Sequence, residues 1–222
     1  MSENLVELRA GSIGALARFV ASQLDALFPD EGRDRDCERL AAPLPAALAR
    51  MRPILAAVRA FEADRFDHLH SLQYSTFLYL LASESARAHG MEGRLADRLF
   101  CLNRALNSID LFHAVELPEV FFLSHGLGAV LGNASYGNRL VVFQNVTVGR
   151  VGEHRPQIGA GVVLYPGATV TGKSRIGEGS VVAAGTVVHG VEVPPKRLAS
   201  MQGGELTFRP LPRDYLSMFL RS

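Results

Sequence analysis

The most constraining feature of this sequence is a run of aliphatic residues spaced six apart in its second half. The run comprises Ile158, Leu164, Val170, Ile176, Val182 and Val188. Four positions after each of the first five stands a small or β-branched residue, and glycine directly precedes most of these. An amphipathic helix cannot produce a period of six, whereas short strands joined by tight turns can. Stacked in register, such strands form a parallel β-helix of hexapeptide repeats with aliphatic ladders inside it.

The same frame continues upstream of this run, with irregular intervals. Its positions there are Val148, Val142, Tyr136, Leu131, Leu123 and Leu117. One interval widens to eight around a turn that carries His125, and the interval before Ile158 widens to ten around a loop that carries His154 and Arg155. Departures from a local rule tend to fall at functional sites, so these two places are the first candidates.

The first hundred residues instead show apolar positions at three-to-four spacing, which is typical of amphipathic helices. Pro43, Pro45 and Pro53 interrupt an alanine-rich segment and predict that it is broken into pieces. The change of period predicts an α-helical N-terminal domain over residues 1–107 and a β-helical domain with a C-terminal tail over residues 108–222. The predicted fold class is therefore α+β.

Composition and charge argue against several kinds of partner and of structural site. The chain has 222 residues and a formal net charge of +1, which gives no broad basic field for nucleic acid or an anionic membrane. Its two cysteines, Cys37 and Cys101, form no C-x-x-C pair, which argues against a cysteine zinc site or a disulfide framework and suits a reducing cytoplasm. The first residues lack a signal pattern, and no apolar run approaches the length of a membrane span. We therefore expect a cytoplasmic protein without nucleic acid or membrane partners.

Four short motifs add a second line of argument. Asp110 precedes His125 by fifteen residues, and His125 stands in the turn S-H-G-L-G-A-V-L-G. Residues 143–150 read F-Q-N-V-T-V-G-R, and the loop ends in E-H-R-P-Q-I. These motifs resemble those of the serine acetyltransferases, acyl-CoA-dependent enzymes of the hexapeptide-repeat family, which have an aspartate at the same spacing and read D-H-A-T-G-x-x-V-G, L-Q-S-V-T-L-G-G and D-R-H-P-K-I. The resemblance covers the β-helical half and implies a left-handed coil that assembles as a homotrimer or a dimer of trimers.

The resemblance implies that His125 is a general base and that Asp110 is its orienting partner. Acyl transfer from a thioester to a hydroxyl group requires removal of the hydroxyl proton as the oxygen attacks, and neutral imidazole accepts protons in the physiological range. A carboxylate at the other ring nitrogen fixes the tautomer and stabilises the imidazolium that forms. The acyl group passes directly to the acceptor, so no serine or cysteine nucleophile is required. On its own, Asp110 would be interpreted as a turn or capping residue.

The resemblance also implies acetyl-CoA as a co-substrate and no metal. Small residues along the coil let the pantetheine arm approach the backbone. The aligned positions are Gly149, Pro166, Ala184 and Gly185. Lys196 and Arg197 follow the V-P-P turn and are candidates for contacts with the coenzyme's phosphates, or else an exposed basic pair.

The match with the family fails where the acceptor is held. The acidic residue before the catalytic histidine, implied to bind the amino group of serine, is Ser124 here. The loop pair implied to bind the serine carboxylate stands in reverse order as His154 and Arg155, which are equally well explained as a solvated loop tip. We assign Ser124, His154 and Arg155 to substrate binding. The sequence ends in Arg-Ser, where the family has an isoleucine that inserts into a partner sulfhydrylase, so no such complex is expected.

The sequence therefore predicts an acetyl-CoA-dependent O-acetyltransferase that acts on L-serine or a related small hydroxylated metabolite. A sugar or nucleotide-sugar acetyltransferase is the alternative that the uncharged Ser124 favours. A γ-type carbonic anhydrase shares the coil and would need imidazoles such as His125, His154 and His189 around zinc, but the expected ligand pair five apart is missing. A catalytically silent assembly protein is the last alternative, and the pairing of Asp110 with His125 argues against it.

Overall fold

The computed structural model describes residues 6–31, 35–90 and 94–222. The chain divides into two compact units. The first consists of residues 1–56 and 61–107, and the second of residues 57–60 and 108–222. That residues 1–107 and 108–222 are separate domains stays a prediction.

The first unit is helical, as its apolar spacing predicts. Its helices are α1 (Ile13–Leu27), α2 (Asp36–Ala41), α3 (Pro43–Ala57), α4 (Ser71–His89) and α5 (Arg94–Asn107), and its short strands β1 (Glu7–Leu8) and β2 (Arg65–Phe66) pair in parallel. Helix α1 begins after Ser12, whose hydroxyl accepts a hydrogen bond from the backbone N–H of Ala15 at 3.1 Å. Helix α4 ends at Gly90, where a φ of 80° favours glycine. No helix among the described residues is long and apolar enough to cross a membrane.

The prolines of the alanine-rich segment act differently from one another. Helices α2 and α3 separate at Ala42, so the predicted break lies directly before Pro43. Pro43 and Pro45 occupy the first turn of α3, where backbone N–H groups have no partner within the helix in any case. The expectation that Pro53 also breaks the helix is wrong, because α3 continues through it. Its neighbours Ile54 and Leu55 are almost completely buried, and their packing offsets the lost hydrogen bond.

The second unit is a parallel β-solenoid of about four turns, built from three sheets. Sheet I contains β3 (Phe121–Leu123), β6 (Leu140–Val142), β9 (Val163–Leu164), β12 (Val181–Val182), β15 (Arg197–Gln202) and β16 (Glu205–Pro210). Sheet II contains β4 (Val130–Leu131), β7 (Thr147–Gly149), β10 (Thr169–Thr171) and β13 (Val187–His189). Sheet III contains β5 (Ser135–Tyr136), β8 (Gln157–Ile158), β11 (Arg175–Ile176) and β14 (Glu192–Val193). We call the turns from sheet I to II, from II to III and from III to I the first, second and third corners.

The strand register explains the period of six. Each coil takes one strand from each sheet, so that Leu164 pairs with Val182 and Ile158 with Ile176, three intervals of six further along the chain. Every aliphatic residue of the run is at most 3% exposed, and the small residues four positions later are buried at the corners. The predicted class, a helical N-terminal half followed by a β-helix of hexapeptide repeats, is confirmed.

The segment that follows β16 folds back along the solenoid. Its aromatic residue Phe219 packs edge-on against Phe143 with ring centres 5.3 Å apart. Leu220 is 1% exposed, and the Arg221 guanidinium donates a hydrogen bond to the carbonyl oxygen of Val58 at 2.7 Å. These contacts fix the tail against the coil of Phe143 and against the segment of Val58.

Candidate active site

Backbone hydrogen bonds identify which residues widen the turn of the first coil. The N–H of Ser124 donates to the Val142 carbonyl, and in the next coil the N–H of Phe143 donates to the Leu164 carbonyl, so Ser124 stacks on Phe143. By the same argument Leu127 stacks on Gln144, because their carbonyls accept from Asn145 and Gly167 in successive coils. The two residues between Ser124 and Leu127 have no counterpart in the coil below. The insertion at the first corner is therefore His125 followed by Gly126.

The inserted turn is tightly closed and leaves the histidine in solvent. His125 has a φ of 51°, in the left-handed region that non-glycine residues rarely adopt, and its side chain is exposed. Its carbonyl accepts a hydrogen bond from the N–H of Leu127 at 2.6 Å. A Cβ atom on Gly126 would come within 3.0 Å of the Ile109 side chain, so the chain next to Asp110 packs directly beneath the turn. Backbone strain at an exposed titratable residue is the kind of local cost that functional sites carry.

Asp110 lies at the edge of the same coil. It forms a parallel bridge with Val130, donates its N–H to the Ala129 carbonyl at 2.9 Å and accepts from the N–H of Leu131 at 2.9 Å. The carbonyl of Ser108 accepts from the N–H of Gly128 at 2.9 Å, which ties the end of the widened turn to the same segment. The backbone thus brings the two predicted catalytic residues to one corner of one coil, with Asp110 half-buried.

Three of the predicted coenzyme residues lie along this corner. The N–H of Gly185 donates to the Pro166 carbonyl, just as the N–H of Gly167 donates to Gln144 one coil earlier. Pro166 and Ala184 therefore continue the row that starts at Leu127 and passes through Gln144. Gly149 ends β7 on sheet II, beside Thr171. Apart from its chain neighbours, no atom of the described residues lies within 4 Å of the place that a Cβ atom would take on Gly149 or Gly185, so a ligand can reach the backbone there.

The structure does not bring Lys196 and Arg197 to the first corner. The N–H of Lys196 donates to the Glu178 carbonyl at 2.9 Å, and Arg197 begins β15, so both residues lie at the third corner. Within a single chain they are on a different edge of the solenoid from His125.

The predicted substrate residues of the loop lie at the second corner. Two backbone hydrogen bonds of 3.0 and 3.1 Å between Val151 and His154 close the loop into a tight turn. His154 and Arg155 are exposed and line a cleft of about 570 Å³. The other lining residues are Glu153, Gln157, Lys173, Arg175, Gly190, Val191 and Glu192. Within one chain, this cleft and His125 lie at different corners.

Ser124, the third predicted substrate residue, is 6% exposed and lies at the top of an aromatic ladder. The ring of Phe143 below it stacks on the ring of Tyr165, with centres 5.0 Å apart and planes 9° from parallel. Burial raises the pKa of Tyr165, the nearby Tyr215 raises it further, and Arg213 opposes the change. Tyr165 therefore serves here as a packing group of the aromatic ladder, two coils below Ser124.

Gln144 is a candidate that sequence reasoning did not single out. Its Oε1 atom is buried and has no hydrogen-bond partner among the described residues, although it stands one coil below the inserted turn. A buried amide oxygen without a donor is costly and calls for an explanation, and a substrate N–H at this corner would supply one. The residue lies within the matched motif F-Q-N-V-T-V-G-R, but only the packed structure shows that its oxygen is unpaired.

Histidine positions also bear on the carbonic anhydrase alternative. His189 lies at the end of β13, where its Nδ1 atom hydrogen-bonds with the Thr171 hydroxyl at 3.0 Å. His125 and His154 lie at different corners. In the part of the chain that the structure describes, no group of three histidine, cysteine or carboxylate side chains is arranged to hold a metal ion.

Comparisons with known proteins agree with the fold and the motifs. The family described as bacterial transferase hexapeptide (six repeats) matches residues 155–190. The chain is 34% identical over 99 residues to serine acetyltransferase of Bacillus subtilis, covering 42% of this chain and 46% of that protein. It is 32% identical over 151 residues to serine acetyltransferase of Bacillus pumilus, covering 65% of this chain and 62% of that one. The matches thus span about half of the length of these relatives.

A solved structure extends the likeness to the helical half. The crystal structure of Neisseria gonorrhoeae serine acetyltransferase superposes with a TM-score of 0.67 at 22% identity, covering 92% of this chain and 82% of that one. The predicted resemblance is confirmed: the chain is similar in sequence and in fold to serine acetyltransferases with hexapeptide repeats.

Proposed function

We propose that this serine acetyltransferase-like chain is an acetyl-CoA-dependent O-acetyltransferase that acts on L-serine or a related small hydroxylated metabolite. The observation that carries the proposal is the insertion of His125 and Gly126 into an otherwise regular corner, next to the segment of Asp110. An insertion that exposes one imidazole at the edge of the coil supplies a base where the other coils have only a plain turn.

In the proposed reaction, the imidazole of His125 accepts the proton of the acceptor hydroxyl. The oxygen attacks the thioester carbonyl carbon, a C–O bond forms, and the C–S bond breaks when the tetrahedral intermediate collapses. The departing sulfur takes the proton back from the imidazolium and leaves as the thiol of coenzyme A. Asp110 is assigned to orienting the ring and stabilising its charged form. Such a base contributes on the order of 10² to 10⁴ in rate.

The first corner suits the pantetheine arm of acetyl-CoA. Pro166, Ala184 and Gly185 follow the inserted turn along the coil axis, and Gly149 offers an open backbone on the adjoining sheet. A thioester presented along this row would end beside the inserted turn. Contacts between the coenzyme's phosphates and Lys196 or Arg197 would require a neighbouring copy, because these residues lie at the third corner.

We further propose that the protein forms a homotrimer, alone or as a dimer of trimers. Apolar side chains on the outer row of sheet II support this assembly: Val130 is 41% exposed and Val187 51% exposed, and Leu127 beside them is 59% exposed. Association that buries this row would also bring the second corner of one copy towards the first corner of the next. His154 and Arg155 would then complete a site with His125 of a neighbour.

Cys37 and Cys101 are both free thiols, which supports a reducing, cytoplasmic location.

A sugar or nucleotide-sugar acetyltransferase is the second candidate. Ser124 directly precedes His125 and carries no charge, so the catalytic turn offers no counterion for the ammonium of an amino acid. A neutral sugar hydroxyl would not need that counterion. The candidates therefore differ in how the acceptor is held and not in the acyl transfer itself.

The deciding experiment measures release of free thiol from acetyl-CoA with a panel of amino acids and nucleotide sugars as acceptors. Turnover with serine or a similar amino acid, lost in a folded His125→Ala variant, is the expected result. Turnover with nucleotide sugars alone would establish the second candidate. Full activity of His125→Ala would end the proposed mechanism for either acceptor.

A further inference from the structure

The last strand of the solenoid has an open edge. β16 is the outermost strand of sheet I and has six residues, as β15 has, whereas every other strand of the solenoid has two or three. Gly203 and Gly204 connect these two strands with φ values of 57° and 86°, which is typical of a tight two-residue hairpin turn. A long strand at the edge of a sheet is a template on which another strand can pair.

The hydrogen bonds of β15 show which backbone groups of β16 point outwards. The carbonyl of Ala199 accepts from the N–H of Ala183 at 2.9 Å, so the backbone groups of Ala199 point towards β12 and away from β16. Phe208 lies directly opposite Ala199 and therefore points its N–H and C=O groups away from β15. Leu206, two residues earlier on the same strand, does the same. Among the described residues, no other part of the chain bonds to these groups.

One antiparallel register matches this edge to the same edge of a second copy. Registers centred on Leu206, Thr207 or Phe208 all place outward backbone groups opposite one another. The first runs into the glycine turn, and the last places Leu206 opposite Pro210, which has no N–H to donate. Only the register centred on Thr207 uses Leu206 and Phe208 of both copies, and it forms four backbone hydrogen bonds.

The side chains of β16 agree with this register. It places Glu205 opposite Arg209 of the second copy, and by symmetry it does so twice. Both side chains are exposed, and in the described part of the sequence neither belongs to an ion pair. Leu206 comes opposite Phe208, which is 38% exposed, and Thr207 comes opposite itself. Opposite charges, apolar pairs and threonine pairs all stabilise neighbouring antiparallel strands.

We propose that β16 pairs with β16 of a second copy and thereby joins two homotrimers head to head. This inference rests on the homotrimer proposed above and names the surface through which two trimers associate. Antiparallel pairing of identical strands has a two-fold axis perpendicular to the sheet. That axis reverses the direction of the coils, so the two solenoids meet at their carboxyl-terminal ends.

The proposed trimer presents three of these edges together. Copies that associate through the outer row of sheet II stand side by side with their coils parallel, so their three β16 strands open towards the same end. A single strand pair makes four backbone hydrogen bonds and holds two chains weakly, whereas three pairs act together. His125 lies in the first coil and β16 follows the last one, so this pairing leaves the proposed active site open.

Charge reversal tests the register. Glu205→Arg or Arg209→Glu places like charges opposite each other in every strand pair. Sedimentation velocity should then show the assembly halved, from six chains to three. The double variant, Glu205→Arg with Arg209→Glu, restores opposite charges and should return the assembly to six chains. Glu178→Arg makes the same change of charge at the exposed third corner and should keep six chains.

A proline variant guards against a reversal that does not fold. Leu206→Pro removes an outward N–H without removing a hydrogen bond to β15, so it should also give three chains. Single reversals that keep six chains would overturn the proposal. A folded double variant that stays at three chains would overturn it as well, because the register requires the rescue.

Cross-linking checks the same register independently, in a chain whose exposed Cys37 is replaced by serine. The Cα atoms of Thr207 in the two copies would lie about 4.5 Å apart, so Thr207→Cys should form disulfide-linked pairs under mild oxidation. The Cα atoms of Glu205 would lie about 13 Å apart, too far for a disulfide, so Glu205→Cys should not. Non-reducing electrophoresis makes the measurement. Equal cross-linking of both variants, or of neither, would reject the register.

The same experiments separate this inference from the proposed function. An unsubstituted protein of three chains would reject the pairing of β16 and leave the trimer. Pairs of chains that Glu205→Arg converts to single chains would keep the pairing and reject the trimer, and single chains throughout would reject both. Thiol release from acetyl-CoA should be unchanged in Glu205→Arg. Its absence in every variant and in the unsubstituted protein would reject the acetyltransferase without affecting the pairing.

Discussion

Gly128 lies so close to Asn145 of the next coil that a Cβ atom on it would come within 2.2 Å of the Asn145 Oδ1 atom. Its φ of 71° adds a second requirement for glycine. Gly128→Ala should therefore cost about 1 kcal/mol in left-handed backbone strain and also displace the Asn145 side chain beneath the catalytic turn. We expect a lower free energy of unfolding and a lower kcat, measured by urea denaturation and thiol release.

Gly203→Ala is the matched control for Gly128→Ala. Gly203 has a φ of 57° in the β15–β16 hairpin, and in the described part of the chain only its sequence neighbours come within 4 Å of the position that its Cβ would take. It should show the strain cost alone and keep full kcat. If both variants keep full kcat, the geometry of the corner does not control the reaction.

The partnership of Asp110 with His125 predicts a specific loss in the Asp110→Asn variant. An amide keeps the size of the carboxylate but neither stabilises an imidazolium nor selects the same tautomer. We expect kcat to fall about 100-fold while KM for acetyl-CoA and the free energy of unfolding change little. Steady-state kinetics with both substrates varied makes the measurement. A normal kcat would reduce Asp110 to a strand-pairing residue of the first coil.

The sequence allowed the coil, its frame and the irregular turn to be predicted, because a period of six with corner glycines has few structural solutions. It also indicated Asp110 and His125 through their spacing. It did not indicate that His154 and Lys196 lie at two other corners. The corner at which a residue lies depends on how many residues the widened turn and the loop add to the regular coil, and only the strand register shows this. The unpaired oxygen of Gln144 could not be predicted from the sequence either. Whether a buried polar atom has a hydrogen-bond partner depends on packing and not on a motif.

The unpaired oxygen of Gln144 predicts that replacing this residue affects stability and substrate binding differently. Its buried, unpaired oxygen destabilises the empty protein by about 1–3 kcal/mol relative to a paired one, so Gln144→Leu should keep or increase the free energy of unfolding. The same variant should raise KM for the substrate whose N–H the oxygen accepts, either acetyl-CoA or the acceptor. Gln73→Leu is the control, because Gln73 already accepts from the N–H of Asp67 at 2.8 Å and should lose stability. Unchanged KM values for both substrates would exclude Gln144 from the site.

A buried ion pair in the helical unit predicts a large loss of stability. Arg98 donates to Asp36 at 3.0 Å and to the carbonyl of Phe28 at 2.8 Å, and the charged side chains of Arg98 and Asp36 are 8% and 1% exposed. Asp36→Ala leaves a buried cation without its partner and should cost about 3–5 kcal/mol. The exposed pair of Arg65 and Glu62 at 3.1 Å is the comparison, and Glu62→Ala should cost much less than Asp36→Ala because solvent screens an exposed pair. Equal midpoints of urea unfolding for the two variants would contradict this ranking.

The exposed valines Val130 and Val187, at the two ends of the outer row of sheet II, predict how a single charge affects assembly. Val187 is 51% exposed on β13, so about half of its surface is open to solvent in a single chain. If copies associate through this row, Val187→Glu places a carboxylate in an apolar contact in every copy, at a cost of several kcal/mol each. Sedimentation velocity should then show monomers, and acetyl transfer should fall with assembly because the cleft of one copy no longer meets His125 of the next. Met201→Glu, at a 44% exposed position on β15, should leave both properties unchanged. An intact oligomer of Val187→Glu would move the interface away from sheet II.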